Sequence, residues 1–285
     1  DAAPNMQTGS TYGLGNDTRV IVPKQVIYDG GDPMDMPTGY PKLETQGSKQ
    51  LFIFRFEKFN TSALYDPIVS IDDESDSGTS GGDTTPAPET TKTLSDSDIK
   101  VDVVGKSGKI KIAADENMVT VEFDNLNEMT SAGEAVKTNG HQFNTFANQD
   151  FTFSEMVEEN YQNIAVKKIE FSAQLTNGAS LAVYLYLFKA AGNITNGDEE
   201  VMVAKGTVKF TVNVTGWKFC GDTGVTCTQG NTNEVGSYLD FDVVVKGKTD
   251  PASVQTGTGK KFSVGSGDVL FLTKYTKDAS GTFVA

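Results

Sequence analysis

One alternating stretch, residues 205–215, constrains the fold of this chain more than any other. Apolar side chains stand at every second position, namely Val208, Phe210, Val212 and Val214. The residues between them are Lys209, Thr211, Asn213 and Thr215. Because successive side chains of a β-strand point to opposite faces, this period of two predicts a strand with one buried face and one solvated face.

A second alternating run, residues 238–245, follows after a loop that holds the only tryptophan, Trp217, and both cysteines. Two strands joined by one loop predict a long hairpin. Cys220 and Cys227 are too few for a zinc site, so we expect a disulfide, with two unpaired thiols as the alternative. A bond that closes this loop contributes about 2.5 kcal/mol in the loop-entropy treatment. It also indicates an oxidising, extracellular compartment.

Strand-like runs separated by Gly, Asn and Asp turns recur along the rest of the chain, and about twelve are recognisable. Residues 51–59 form a clear one, in which Phe52, Phe54 and Phe56 share a face that we expect to be core. The pattern predicts an all-β fold, an antiparallel β-sandwich of the jelly-roll or immunoglobulin-like kind with long irregular loops. Short helical turns are expected only near 131–136 and 154–161.

Two polar segments set the predicted domain organisation. Residues 1–18 are small, polar and Gly-rich, which predicts a flexible N-terminal arm. Residues 72–98 contain a single large apolar residue, Leu94, and bury too little apolar surface to offset the entropy of ordering, so we expect a loop. Residues 19–285 are expected to form one large β-sandwich domain that includes this loop; the alternative is two domains. The start at Asp1 rather than Met indicates a processed chain whose leader was removed.

Residues 19–28 form the first strand-like run, and Pro23 interrupts it. Proline has no backbone N–H, so such a strand belongs at a sheet edge, at a bulge or at a first position. We expect an internal edge strand; the alternative is a strand that this chain donates to a neighbouring subunit.

The charge balance excludes several classes of partner. The chain carries 38 acidic and 24 basic residues, a net charge of −14. Nucleic acids and anionic lipid surfaces attract basic proteins, so neither is an expected partner. No apolar run in the sequence approaches the roughly 18–20 residues of a membrane helix, so membrane insertion is not expected.

An acidic cluster at the start of the predicted loop is a weak candidate for calcium, through Asp72, Asp73 and Asp76. Aligned with an EF-hand loop, Thr84 stands where a bidentate glutamate is required, so that motif fails. A solvated acidic loop is the favoured interpretation, and no other cofactor is expected.

Four Asn-X-Ser/Thr sequons offer glycosylation sites, at Asn16, Asn60, Asn193 and Asn213. A chain of this composition carries about this many by chance, so their positions matter more than their number. Asn60 and Asn193 fall in predicted turns, and Asn213 falls on the predicted solvated face of its strand.

No catalytic constellation emerges from the sequence. The single histidine, His141, lies in a predicted loop, and the Gly-Ser-Gly at 265–267 is too short for a nucleophile elbow. Phosphate-binding glycine motifs between a strand and a helix are lacking in the sequence. Asp240 and Asp242 share a strand face, but this spacing is common on exposed strands. We therefore expect a protein that is not an enzyme.

Trp217, just past the end of a strand, is the best candidate for stacking on a sugar ring. Tyr184 and Tyr186 lie on a strand that is apolar on both faces, so we expect them to be buried. The sequence favours a secreted structural or adhesive protein of a cell surface or extracellular matrix, a self-assembling filament or coat subunit that contacts itself or other extracellular proteins. The alternative is a carbohydrate-binding module that binds glycans through Trp217 and adjacent loops.

Overall fold

The structure is a computed structural model of the 285-residue chain. It describes residues 11–14, 18–21, 23–46, 49–71, 91–96, 99–114, 117–146, 149–196, 199–230, 232–247, 261–264, 267–270, 276–277 and 283–284. Within these ranges the chain forms strands joined by turns, with no helix, so the all-β prediction is confirmed. The described residues accordingly include no helix that is long and apolar enough to cross a membrane.

The described residues form 27 strands, many of them only two to five residues long. The first fourteen are β1 (Thr11–Leu14), β2 (Thr18–Ile21), β3 (Gln25–Tyr28), β4 (Pro33–Asp35), β5 (Lys42–Gln46), β6 (Lys49–Glu57), β7 (Ser62–Tyr65), β8 (Ile68–Ile71), β9 (Thr91–Asp96), β10 (Ile99–Val104), β11 (Lys109–Ala114), β12 (Asn117–Thr130), β13 (Gln142–Phe143) and β14 (Thr152–Phe153). The others are β15 (Val157–Tyr161), β16 (Ile164–Gln174), β17 (Ser180–Phe188), β18 (Gly192–Asn196), β19 (Glu199–Val203), β20 (Val208–Thr215), β21 (Cys227–Gln229), β22 (Thr232–Glu234), β23 (Gly236–Gly247), β24 (Lys261–Val264), β25 (Gly267–Leu270), β26 (Thr276–Lys277) and β27 (Phe283–Val284).

Most of these strands belong to two large antiparallel sheets. Sheet 1 has the order β1-β2-β8-β20-β17-β16-β14, with β15 also on β16, β7 also on β20, and β3 and β4 attached through β7. Sheet 2 has the order β5-β6-β23-β12-β11-β10-β9, with β13 on β12. The pairs β18–β19, β21–β22, β24–β25 and β26–β27 form separate hairpin ladders. The predicted count of about twelve strands is not confirmed.

The main hydrophobic cluster takes side chains from both sheets. Phe54 on β6 of sheet 2 lies with its ring centroid 4.5 Å from that of Tyr65 on β7 of sheet 1. The row of phenylalanines predicted as core is buried, with Phe52, Phe54 and Phe56 exposed by 1, 3 and 0%. Full burial of such a side chain contributes about 1.5–3 kcal/mol, so this shared cluster dominates the stability of the fold.

The long hairpin predicted for residues 205–246 is wrong. β20 lies in sheet 1, where it pairs with β17, β7 and β8, whereas β23 lies in sheet 2 between β6 and β12. Alternation shows which side chains share a face of one strand, and it carries no information on which distant strand will pair with it. Residues 216–235 therefore connect two sheets and are not the tip of a hairpin.

The solvated face predicted for β20 is wrong at two positions. Lys209 is 1% exposed and Thr211 is 6% exposed. A second hydrophobic cluster covers this face, and the β18–β19 hairpin contributes Ile194 and Val203 to it. The hairpin and β15 give sheet 1 a second apolar side that the period of β20 alone does not reveal.

The N-terminal segment 19–28 forms β2 and β3, with Pro23 between them, where its missing N–H breaks no ladder. β2 lies between β1 and β8, and β3 lies between β4 and β7, in agreement with a strand internal to this chain. Part of the predicted arm, Thr11–Leu14, forms β1. Residues 1–10 and 15–17 lie outside the described residues, so for them the arm stays a prediction.

The loop predicted over 72–98 is shorter at its carboxyl end. β9 spans Thr91–Asp96 and pairs with β10, and Leu94 is fully buried in the main cluster. Hydrogen bonds to β10 and the buried side chain of Leu94 order this segment, although its polar composition predicts a loop. Residues 72–90 and 97–98 lie outside the described residues.

The short helical turns expected near 131–136 and 154–161 are wrong. Residues 131–133 form a turn, followed by a bridge between Met129 and Ala135. β15 pairs with β16 from Val157 to Tyr161. A single helical turn is marginal on its own, and pairing with a long strand satisfies more backbone groups.

Candidate functional site

The connection between β20 and β23 collects the chemically distinctive residues of the chain at one place. Trp217, Cys220 and Cys227 come from this connection, Glu128 comes from β12, and His141 precedes β13. Their exposed fractions are 2, 0, 2, 0 and 8%, in that order. The site is therefore a buried polar network between elements that are distant in the sequence.

The carboxylate of Glu128 is the centre of this network. Its Oε2 accepts a hydrogen bond from Trp217 Nε1 at 2.8 Å, and its Oε1 accepts one from the backbone N–H of Cys220 at 2.7 Å. His141 Nδ1 lies 2.7 Å from Oε2. A buried carboxylate costs several kcal/mol unless hydrogen bonds satisfy it, and here three donors do so. Through these hydrogen bonds, Glu128 attaches the connection between β20 and β23 to sheet 2.

The same contact sets the orientation of His141. A carboxylate can only accept, so Nδ1 of His141 is the donor in this contact. Nε2 lies 3.6 Å from Sγ of Cys227. His141 lies in a loop, as expected, but it is buried and held by Glu128 through Nδ1.

The disulfide predicted between Cys220 and Cys227 is present, with Cα atoms 5.5 Å apart. Together with His141, these cysteines are the only group of three or more His, Cys, Asp or Glu side chains in the described part of the chain whose ligand atoms lie within 4.8 Å of one another. Metal binding by cysteine requires thiolates, and both sulfurs are committed to the disulfide. With the bond formed, this group offers a metal one imidazole nitrogen, so its role is structural.

Trp217 does not supply a stacking surface for sugars, so that prediction is wrong. The indole is 2% exposed and belongs to the main hydrophobic cluster. Its ring packs edge-on against Phe143 and His141, with centroids 5.8 and 6.2 Å away. A tryptophan just past a strand end appears accessible in the sequence, but here the chain crosses between sheets at that point and turns the ring inward.

A cleft of about 300 Å³ opens beside the network. Polar groups of Asn139, His141, Thr176, Asn177 and Lys218 line it. The Oδ1 of Asn177 accepts from the backbone N–H of Ala179 at 3.0 Å, and its Nδ2 is buried without a hydrogen-bond partner. The cleft offers hydrogen-bond donors and one exposed lysine, and its lining contains no Trp, Tyr or Phe on which a sugar ring could stack.

Gly236, the first residue of β23, allows the network to close. A Cβ on this residue would lie 1.8 Å from Oε1 of Glu128 and 2.4 Å from its Cδ. We expect Gly236→Ala to displace the carboxylate and to lower the free energy of unfolding by about 1–3 kcal/mol, measured by urea denaturation. Val235→Ala, at an exposed neighbour, is the control and is expected to change it by less than about 0.5 kcal/mol. Equal midpoints for both variants would contradict this role of Gly236.

Asp240 and Asp242 lie on the outer face of β23, but Asp240 is committed to structure. Arg55 donates to its two oxygens from Nε and Nη2, at 2.6 Å each. The guanidinium lies over the rings of Tyr40 and Tyr238, 4.3 and 4.9 Å from their centroids. A bidentate pair that is stacked between two aromatic rings is a rigid structural contact, so Asp240 is not available for acid–base chemistry.

The carboxyl of Asp242 is expected to make the free energy of unfolding depend on pH. Burial raises its pKa from 3.8 to about 6, and nearby carboxylates, Asp240 first, add to the rise against a hydrogen bond from Asn125 Nδ2 at 2.9 Å. Because this pKa is higher in the folded state, the stability that Asp242 contributes is fully present below its unfolded pKa and is lost as pH rises through about 6.

Asp242→Asn keeps an acceptor for Asn125 and removes the ionisation. We expect urea denaturation of this variant to show a smaller loss of stability than the parent protein between about pH 4 and pH 6, the window that the pKa of Asp242 sets. Asp150→Asn, at an exposed carboxyl, is the matched control and is expected to keep the parent slope. A parallel pH profile for Asp242→Asn and the parent protein would contradict the effect.

The predicted sequons fall in different environments. Asn60 and Asn193 are exposed, and Asn60 Nδ2 donates to Asp29 Oδ2 at 3.3 Å. Asn213 lies in β20 between β17 and β7, is half-buried, and has a buried Oδ1 without a hydrogen-bond partner. The solvated environment predicted for Asn213 is therefore not found. Asn16 lies outside the described residues, as do the calcium candidates Asp72, Asp73 and Asp76.

Sequence reasoning did not single out Glu128. In the first half of this strand, Val119, Val121 and Phe123 face inward. A bulge between Phe123 and Asn125 then shifts the register, so that Leu126 and Glu128 face inward. The only signal in the sequence is a carboxylate two residues after a core leucine in a long strand, and that pattern is common on solvated faces.

The chain resembles known proteins of one kind. A family model described as acidic skeletal organic matrix protein matches residues 5–89 and 113–265. A relative from Acropora millepora, uncharacterized skeletal organic matrix protein 4, is 42% identical over 45 residues, which is 16% of this chain and 22% of the relative. The chain thus spans about a fifth of the length of this curated relative. No solved structure matches the chain. Because the family model covers most of the chain, this protein belongs to the acidic skeletal organic matrix protein family.

Proposed function

We propose that this protein is a secreted structural component of the organic matrix of a skeleton and that it is not an enzyme. The family match over most of the chain carries the proposal. The described site supports it, because the groups best suited to chemistry, Glu128, His141 and Asp240, are each held in structural contacts. The buried disulfide also suits an extracellular location.

We also infer that the two large sheets pack face to face as a sandwich within one domain. The shared hydrophobic cluster supports this, as does the contact between Phe54 and Tyr65. Side chains from the inner faces of two sheets interdigitate in this way in sandwiches.

We also propose that copies of this protein associate with one another, and one edge of sheet 1 supports this. β15 pairs with β16 on one side and with no other strand among the described residues. Met156 and Val157 at this edge are 51 and 45% exposed. An open edge with exposed apolar side chains is a template for the addition of a strand from a second copy.

The charges along this edge do not oppose such a contact. Glu158 pairs with Lys189 at 2.9 Å, and Glu159 pairs with Lys168 at 3.1 Å. The two acidic side chains of β15 are thereby neutralised locally, although the chain as a whole is strongly acidic.

Val157→Lys tests this association, because a lysine on an edge strand disfavours strand addition. We expect the parent protein to form dimers or larger species with rising concentration in sedimentation velocity, and Val157→Lys to remain monomeric. Val235→Lys is the matched control, since Val235 is 55% exposed and is not part of β15. A parent protein that is monomeric at every concentration contradicts self-association.

The acidic surface supports weak interaction with cations. The net charge is −14, yet no three carboxylates converge on one point in the part of the chain that the structure describes. We therefore expect calcium to bind diffusely, and added NaCl to weaken this binding because salt screens exposed charges. Equilibrium dialysis with calcium at low and high NaCl measures this. A stoichiometric site that persists at high NaCl contradicts diffuse binding and points instead to residues such as Asp72, Asp73 and Asp76.

One observation still supports glycan binding as the alternative function, namely the polar cleft beside His141. Asn139, Thr176 and Asn177 provide polar groups there, but Trp217 is buried and does not line the cleft. A glycan array with the parent protein and with Thr176→Val tests this alternative. Absence of binding to every glycan removes it.

A further inference from the structure

Lys209 and Asp66 meet inside the second hydrophobic cluster, on the outer side of sheet 1. Lys209 lies on β20, and Asp66 begins the two-residue link between β7 and β8. Both β7 and β8 pair with β20, so the link faces the middle of that strand. The N–H of Phe210 donates to the carbonyl of Pro67 at 3.1 Å and holds the link in place.

Three polar side chains form a closed ring of hydrogen bonds at this point. The Nζ of Lys209 contacts Oδ1 of Asp66 directly. It also donates to Oγ1 of Thr211 at 2.7 Å, and this hydroxyl in turn donates to the same Oδ1 of Asp66. Amine, hydroxyl and carboxyl are therefore arranged so that a proton can pass from nitrogen to oxygen through Thr211.

The surroundings of this ring are apolar and aromatic. The Nζ of Lys209 lies 5.1 Å from the ring centroid of Tyr161 and 5.5 Å from that of Tyr186. Lys209 is 1% exposed, and burial lowers its pKa against the opposing effect of Asp66. Burial disfavours the ammonium form of Lys209, so a neutral, nucleophilic amine costs less here than in water.

We propose that Lys209 and Asp66 form an intramolecular amide bond without any other protein. The lone pair of Nζ attacks Cγ of the protonated carboxyl, and the bond between Cγ and one carboxyl oxygen breaks. That oxygen leaves as water, with its second hydrogen taken from the nitrogen through the Thr211 hydroxyl. One amide and one water are the products, so the step requires no oxidant, reductant or cofactor.

The bond ties the central strand β20 to the link between β7 and β8, across a sequence separation of 143 residues. A covalent link over so long a loop restricts the unfolded chain as a disulfide does, and it resists reducing agents. It provides a covalent cross-link within sheet 1, far from the disulfide in the sequence. This inference does not depend on the proposed matrix function.

Intact mass spectrometry of the 285-residue chain, produced without glycosylation and measured after reduction of the disulfide, tests the proposal. We expect a mass lower than that of the sequence by one water molecule. Asp66→Asn is the sharpest variant, because the same amide then forms with loss of ammonia instead of water. Lys209→Met removes the nucleophile and is expected to show its full sequence mass.

Peptide mapping locates the bond. Trypsin does not cleave after an amide-linked lysine, so we expect a branched peptide that joins residues 206–218 to residues 59–92. Asp66 precedes Pro67, which has no N–H, so Asp66 cannot lose water by cyclising onto the next residue. A parent protein at its full sequence mass overturns the proposal, and so does a loss of water that persists in Lys209→Met.

Thr211→Val tests the proton relay by a rate. After refolding, we expect the mass loss in this variant to develop roughly 10²-fold more slowly than in the parent protein, the scale of general acid–base catalysis. Equal rates in the two proteins overturn the role of Thr211.

Discussion

Replacing Glu128 with alanine is expected to lower the free energy of unfolding by about 3–5 kcal/mol. The substitution leaves Trp217 Nε1, His141 Nδ1 and the backbone N–H of Cys220 buried without their acceptor. Each buried donor without a partner costs about 1–3 kcal/mol. Urea denaturation followed by the fluorescence of the single tryptophan, which contacts this carboxylate, reports the change directly.

Glu134→Ala is the matched control, because Glu134 is an exposed acid only six positions further along the chain. It is expected to change the free energy of unfolding by less than about 0.5 kcal/mol. If Glu128→Ala costs no more than this control, the carboxylate does not organise the site.

Replacing Trp217 with alanine is expected to cost about 3–5 kcal/mol, the range for large aromatic side chains removed from a core. The indole is 2% exposed and packs against Phe143 and His141. The substitution opens a cavity and also removes one donor from Glu128. The measurement is thermal or urea unfolding followed by circular dichroism, since the variant lacks the fluorescent ring.

Trp217→Phe separates packing from hydrogen bonding at this position. It keeps much of the ring volume and loses the N–H, so we expect a smaller cost of about 1–3 kcal/mol. The costs of Trp217→Phe and Glu128→Ala are not expected to add, because both variants break the same contact. A Trp217→Ala variant of unchanged stability would restore a surface role for the tryptophan.

The strands could be predicted well from the sequence where one face of the strand is apolar. The alternation in 51–59 lies mostly within β6, and the phenylalanines of β6 are core. The disulfide between Cys220 and Cys227 was also predictable, because a chain with two cysteines near each other leaves a single pairing. These are properties of short segments, and short segments can be interpreted without the rest of the fold.

The candidate site could not be predicted, because each of its residues depends on a distant partner. In the sequence, nothing distinguishes Glu128 from the other acidic residues. In the structure, the bulge in β12 turns it inward, and Trp217 and His141 donate hydrogen bonds to it. Trp217 looks accessible until the chain is known to cross between sheets after β20. For this reason, the prediction that Trp217 stacks on a sugar ring was wrong.

From the sequence alone, this protein could be described as an acidic, disulfide-bonded chain of β-strands without the motifs of the common enzyme classes. The packing of distant strands was needed to show that β20 and β23 lie in different sheets and that Lys209 is buried beside Asp66. The physical reason is that the side-chain period is a local property of an extended backbone, whereas burial depends on which distant segment packs against each face. The stretch from 205 to 215 shows both cases, since its apolar face was predictable and its polar face was not.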